Sequence, residues 1–117
     1  ARDQVPRDGG RRLVIVEQRD YHVFTGKLNE LVRLYAEEGI AIQQEILGGL
    51  IGVFTTDVGA LSTYTSLWGY DGFRERERRR AQLQSDERWQ QFLAKIQPLI
   101  HTQQNRILVP TAFSPIR

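Results

Sequence analysis

The spacing of apolar positions divides the chain into stretches of period two and stretches of period three to four. Residues 13–21 are dominated by Leu, Val and Ile and then alternate. This places Ile15, Glu17, Arg19 and Tyr21 on one face of a strand and Val14, Val16, Gln18 and Asp20 on the other. Leu28, Leu31, Val32, Tyr35, Ile42 and Ile46 then recur at helical spacing behind Thr25, a candidate N-cap, and Gly48 with Gly49 closes the run. Gly39 interrupts it, and because a mid-helix glycine costs about 1 kcal/mol relative to alanine, a kink or break is expected there.

Residues 50–57 are β-branched and aromatic. After a turn at Gly59, residues 61–70 alternate again with Tyr64, Ser66, Trp68 and Tyr70 on one face, which predicts a hairpin. Asp71 is placed to cap a charged helix that runs to about Gln84. From Asp86 a second helical segment repeats apolar positions at Trp89, Phe92, Leu93, Ile96 and Ile100. Residues 106–109 read as a short last strand, stopped by Pro110, which has no N–H for a ladder. The order is β-α-β-β-α-β with a split second helical region: a ferredoxin-like α+β fold whose antiparallel sheet carries helices on one face only. The opposite sheet face, if apolar and bare, exposes more than a soluble monomer usually tolerates. Face-to-face homodimerisation is therefore expected.

The 117 residues suffice for one hydrophobic core, and 40 % apolar with 26 % charged residues is an ordinary globular balance. Residues 1–12 are polar, with Pro6 and the Gly9–Gly10 pair, and read as a flexible arm; residues 13–117 form the single domain. The absence of cysteine excludes disulfides, thiolate metal sites and a cysteine nucleophile, and makes a reducing cytoplasm the expected compartment. No apolar run approaches the roughly 18 to 20 residues of a membrane span, and no signal-peptide core opens the chain, so no membrane association is expected. No methionine occurs even at position 1, so a start residue is expected to have been lost or trimmed.

Charges change the picture at two places. Glu17 and Arg19 share a strand face with Ile15 and Tyr21, and charges on such a face must be paired or functional. In a catalytic pocket Glu17 is the candidate general base, Arg19 the partner for a developing oxyanion, and Tyr21 or Tyr64 a donor. Alternatively the pair neutralises itself or a neighbour and holds register. Tyr64, Ser66 and Trp68, joined by Tyr35 from the helix, are the candidate substrate-binding residues, a mixture that suits a flat organic ligand and equally an aromatic sheet core. The arginine-rich run 74–80 carries interspersed glutamates, with Glu75 and Arg79 in the favourable i,i+4 order. It reads as a solvated face, and no nucleic-acid partner is expected. His22 and His101 have no metal-ligand spacing, which disfavours zinc, and neither is expected to hold haem. There is no phosphate loop, nucleophile elbow or dinucleotide fingerprint, so no cofactor is expected.

The chain also resembles the NIPSNAP family. The residues that carry the likeness are Val-Glu-Gln-Arg-Asp-Tyr at 16–21, Thr-Gly-Lys-Leu at 25–28, Tyr-Ala-Glu-Glu-Gly-Ile at 35–40 and Gly-Val-Phe-Thr-Thr-Asp-Val-Gly at 52–59. They continue with Leu-Trp-Gly-Tyr at 67–70, Trp-Gln-Gln-Phe-Leu-Ala-Lys-Ile at 89–96 and Asn-Arg-Ile-Leu-Val-Pro at 105–110. The resemblance implies a dimeric α/β barrel, a superfamily that holds haem-degrading and cofactor-free oxygenases, cyclases, isomerases and non-catalytic proteins. Two positions depart from it: Ser66, where the family usually has histidine, and Ala41, where it commonly has proline. The resulting expectation is a NIPSNAP-like small-molecule-binding protein of bacterial specialised metabolism, working as a cofactor-independent oxygenase, cyclase or isomerase. The alternative is a non-catalytic dimeric module that binds a ligand or a protein.

Overall fold

A computed structural model describes residues 15–117. The expected arm, and the two residues expected to open the first strand, lie outside the described residues. The elements are β1 (Ile15–Val23), α1 (Leu28–Leu34), a π-helical turn (Tyr35–Gly39), α2 (Ile40–Leu47), β2 (Leu50–Thr55), β3 (Thr63–Tyr70), α3 (Phe73–Gln84), α4 (Glu87–Ile96), a 3-10 turn (Gln97–Leu99) and β4 (Ile100–Leu108). The strands form one antiparallel sheet in the order β2-β3-β1-β4. This is the expected ferredoxin-like α+β arrangement, with the helices on one face.

Alternation in β1 survives from Glu17 onward, with Val16 also buried on the opposite face. Ile15, Glu17, Arg19 and Tyr21 are all buried beneath the helices, opposite Tyr70, Trp68, Ser66 and Tyr64 of β3. The core forms where this shared face meets Leu31, Leu34, Leu47, Leu83, Phe92 and Ile96. Burying these aliphatic and aromatic side chains contributes about 1.5–3 kcal/mol each, the main driving force of the fold.

Gly39 neither breaks nor ends the helix. The chain widens into a π-turn over Tyr35–Gly39 and continues as α2. Gly39 is buried against the ring of Phe92, and a Cβ there would collide with that ring. The glycine that weakens the helix locally thus admits α4 to its backbone. Gly48 and Gly49, at φ 62° and 63°, end α2 in a conformation that L side chains rarely adopt.

The expected caps are placed differently. Lys27, not Thr25, is the N-cap of α1, because a turn from Phe24 through Gly26 (φ 84°) displaces the helix start; its ammonium has no acceptor and makes no cap bond. Gly72, not Asp71, precedes α3, again without a side-chain cap. Asp86 does cap α4, accepting from the N–H groups of Arg88 and Trp89.

The last strand is longer than the short 106–109 expected. β4 begins at Ile100, so Ile100 is not a helix position and His101 lies in a strand. Residues 101–106 are polar at every position and carry no period-two signal. As an edge strand not covered by helices, β4 is held by its backbone pairing to β1 rather than by burial. Among the described residues no helix is long and apolar enough to cross a membrane.

Candidate functional site

Strand β1 delivers the first members of the site. The Glu17 side chain is fully buried, with 0 % of its surface exposed. Its Oε2 accepts from Arg19 Nη1 at 3.0 Å and from Arg76 Nη2 at 2.9 Å, and its Oε1 accepts from Arg76 Nε at 3.1 Å. Arg76 comes from α3, so one carboxylate ties the sheet to the helix above it. Burial alone pushes the Glu17 pKa up, but the Arg76 hydrogen bond and the charges of Arg19, Arg76 and Arg80 outweigh it and leave the pKa below the ordinary value. The carboxylate is therefore ionised and committed to guanidinium groups.

Arg19, also buried, continues the chain of contacts. Its Nε donates to the Tyr21 hydroxyl at 3.1 Å. With its amide turned so that the nitrogen donates to the Gln104 carbonyl, Asn105 accepts at its side-chain oxygen from Arg19 Nη1 at 2.8 Å. Tyr21 stacks on Tyr64 with ring centroids 6.0 Å apart, and Tyr64 stacks on Tyr35 at 4.6 Å. The Tyr35 hydroxyl is buried without a hydrogen-bond partner. Burial, with the neighbouring phenols of Tyr21 and Tyr64, raises its pKa well above the usual tyrosine range.

Beside this network a cleft of about 380 Å³ opens between the β1–β4 side of the sheet and helices α3 and α4. Arg19, Tyr21, Arg80, Trp89, Leu93 and Gln103 are among the residues that line it. It adjoins a second, polar cleft of about 370 Å³ bounded by Arg19, Arg76, Glu77, Arg80, Ala81, Gln84 and Asn105. The cleft exists because β4 runs beyond the helices: its inward-facing Gln103 and Asn105 stay exposed opposite Tyr21 and Arg19.

The structure thus brings Glu17, Arg19 and Tyr21 together, with Arg19 and Tyr21 on the cleft and Glu17 sealed behind them. It does not bring the β3 residues to the same place. Trp68 donates its indole N–H to Ser66 Oγ at 3.0 Å, and both side chains are sealed in the core. Tyr35 and Tyr64 border a separate apolar recess of about 170 Å³ with Val32, Ala36, Ile40 and Val53. The two histidines lie apart. His22 Nδ1 is 3.0 Å from Thr63 Oγ1 on the helix-free sheet face, while His101 packs against the Phe24 ring. No group of three or more metal-ligating side chains occurs among the described residues.

Sequence reasoning missed Arg76, Arg80, Gln84 and Asn105. One signal was available: α3 has a single buried apolar residue, Leu83, and Arg76 and Arg80 precede it by seven and three positions, on the same helical stripe. A helix whose inward stripe is arginine needs a buried carboxylate, and Glu17 was the candidate. Of the rest of the charged run, Arg74, Glu77 and Arg78 form the expected solvated face, whereas Glu75 and Arg79 pair half-buried and Arg79 Nη1 donates to the Leu47 carbonyl at 3.0 Å, tying α3 to the end of α2.

The NIPSNAP family model matches residues 16–115. A NIPSNAP family protein from Agrobacterium tumefaciens superimposes with a TM-score of 0.87 at 50 % identity, covering 89 % of this chain and 99 % of that one. A NIPSNAP-like domain protein from Burkholderia xenovorans gives 0.86 at 44 % identity, covering 90 % and 91 %. The zebrafish NipSnap homolog 1 is 30 % identical over 98 % of this chain, which spans 39 % of that relative's length. A candidate antibiotic biosynthesis monooxygenase from Nitrosomonas europaea shares the fold alone, with a TM-score of 0.62 at 7 % identity, covering 82 % of this chain and 97 % of that one. With its characteristic segments spread from β1 to Pro110 and the family model spanning nearly all of the described residues, the chain belongs to the NIPSNAP family.

Proposed function

We propose that the protein binds a small organic molecule in the cleft between the β1–β4 side of the sheet and helices α3 and α4. The observation that carries this reading is the cleft itself: about 380 Å³ with apolar walls at Trp89, Leu93 and Ile96 and polar groups at Arg19, Tyr21 and Gln103, the usual build of a ligand site. Arg19 and Tyr21 are the binding groups. Glu17 holds the arginines in place and is not the proton acceptor, since its carboxylate is sealed from the cleft, held below the ordinary pKa and committed to three bonds from two guanidinium groups.

If a ligand reacts in this cleft, the protein supplies donors and positive charge rather than a base. That favours stabilising an anion which the substrate readily forms, as in oxygenation or isomerisation of an acidic carbon compound. The function also includes a homodimer formed through the helix-free sheet face, where Leu108 stands exposed beside Val16, Leu67 and Ile116, and Phe54 of β2 is exposed as well.

Native mass spectrometry of the chain and of its Leu93→Trp variant tests both parts. The expected result is a dimer that carries a retained small molecule, with the molecule lost when the tryptophan fills the cleft. A monomer would overturn the dimer, and a retained mass unaffected by Leu93→Trp would overturn the site.

A further inference from the structure

The two clefts share Arg19, Arg80 and Gln84, so they are two lobes of one space: an apolar lobe against Trp89, Leu93, Ile96 and Ile100, and a polar lobe against Arg76, Glu77 and Asn105. Three guanidinium groups converge there. Arg76 and Arg19 both bond to Glu17, whereas Arg80 makes no ion pair or hydrogen bond among the described residues, and its Nη1 is buried without a partner. Glu77, the carboxylate that lines the polar lobe, is exposed at its rim. A half-buried cation beside a second cation is unfavourable; Glu17, already bonded to Arg19 and Arg76, offsets it only at a distance, and a bound anion would relieve it directly.

We infer that the ligand is an organic acid carrying one carboxylate, with that carboxylate held between Arg80 and Arg19 and its apolar body laid along Trp89 and Leu93. This rests on the proposed binding cleft and names the ligand class. A carboxylate fits because a guanidinium fork matches it in two parallel bonds, as Arg76 already does with Glu17. A single charge fits because one guanidinium, that of Arg80, has no ion-pair partner among the described residues. The lobes set the shape: a polar head at the arginines and a flat or aliphatic tail that reaches toward Ile96 and Ile100.

The test is calorimetric titration with matched probes: 2-naphthoate against 2-naphthamide, octanoate against octanamide, and 2-naphthyl phosphate. At least one acid is expected to bind tighter than its amide by about tenfold or more, the range of a charge-assisted hydrogen bond. Arg80→Gln should erase the difference while the melting temperature holds or rises, because the variant removes an unpaired cation. Arg80→Lys should restore part of the difference. Leu93→Trp should weaken acid and amide together.

Equal binding of acid and amide would overturn the organic-acid assignment and leave the cleft reading standing. Tighter binding of the phosphate than of 2-naphthoate would overturn the single carboxylate. Failure of every probe, or binding that Leu93→Trp leaves unchanged, would overturn the cleft reading and this inference with it.

Discussion

Arg76 clasps Glu17 across the interface between helix and sheet, its Nε and Nη2 reaching separate carboxylate oxygens at 3.1 and 2.9 Å. The geometry is bidentate, the strongest form of a carboxylate–guanidinium contact. Through it α3, a helix with one buried apolar residue, is pinned over β1 by charge rather than by a hydrophobic stripe.

Glu17→Gln follows directly from that contact. The substitution keeps shape and removes charge, which leaves Arg19, Arg76 and Arg80 facing one another with no buried counter-ion. Breaking a buried pair on one side costs about 3–5 kcal/mol. Urea unfolding should show a loss toward the lower end of that range, because the Arg76 side chain is one quarter exposed. A loss under 1 kcal/mol would mean that the helix is held by something else.

The same carboxylate makes stability depend on pH in the acid range. The folded pKa of Glu17 lies below its ordinary value of 4.5, so the folded state binds this proton less readily than the unfolded chain does. The stability it contributes is present above pH 4.5 and is lost as pH falls through the lowered folded pKa. A melting-temperature series taken downward from pH 6 should fall more steeply for the natural chain than for Glu17→Gln, and parallel curves would remove Glu17 as the source.

The legible and illegible parts of this chain differ for physical reasons. β1 and β3 were readable because they are central strands with one face under helices, so burial forces alternation; Glu17, Arg19, Tyr64 and Trp68 fall on the face assigned to them. β4 was not, because an edge strand beside an open cleft is held by its backbone, and the His-Thr-Gln-Gln-Asn-Arg run at 101–106 encodes no burial. The Glu17–Arg19 pair could be picked out as unusual from β1 alone. Arg76 and Arg80 carry a fainter signal, their spacing of seven and three positions before Leu83, since their burial depends on how α3 lies over the sheet, and within the run at 74–80 they look like the exposed arginines around them.

Gly39→Ala sets two effects against each other. Alanine is the better helix former by about 1 kcal/mol. Yet its Cβ would fall on the Phe92 ring, itself buried at 1 % exposure. Overpacking of this kind costs about 1–3 kcal/mol, so the clash is expected to win and Gly39→Ala to destabilise. The double variant with Phe92→Leu should be less destabilised than the sum of the two single changes. Additive losses would show that the two residues do not touch.

Two tyrosines one stacking partner apart should respond oppositely to loss of their hydroxyl. Tyr21 accepts from Arg19 Nε, so Tyr21→Phe leaves a buried charged donor unpaired and should cost about 1–3 kcal/mol. The Tyr35 hydroxyl is buried with no partner, so Tyr35→Phe removes an unmet desolvation cost and should leave stability unchanged or raise it by about 1 kcal/mol. Packing cannot account for the contrast, since each change removes one oxygen and leaves the rings stacked on Tyr64. Paired denaturation curves decide the matter: equal losses would show that the Tyr35 hydroxyl has a partner after all, and would tie the aromatic stack into the Arg19 network.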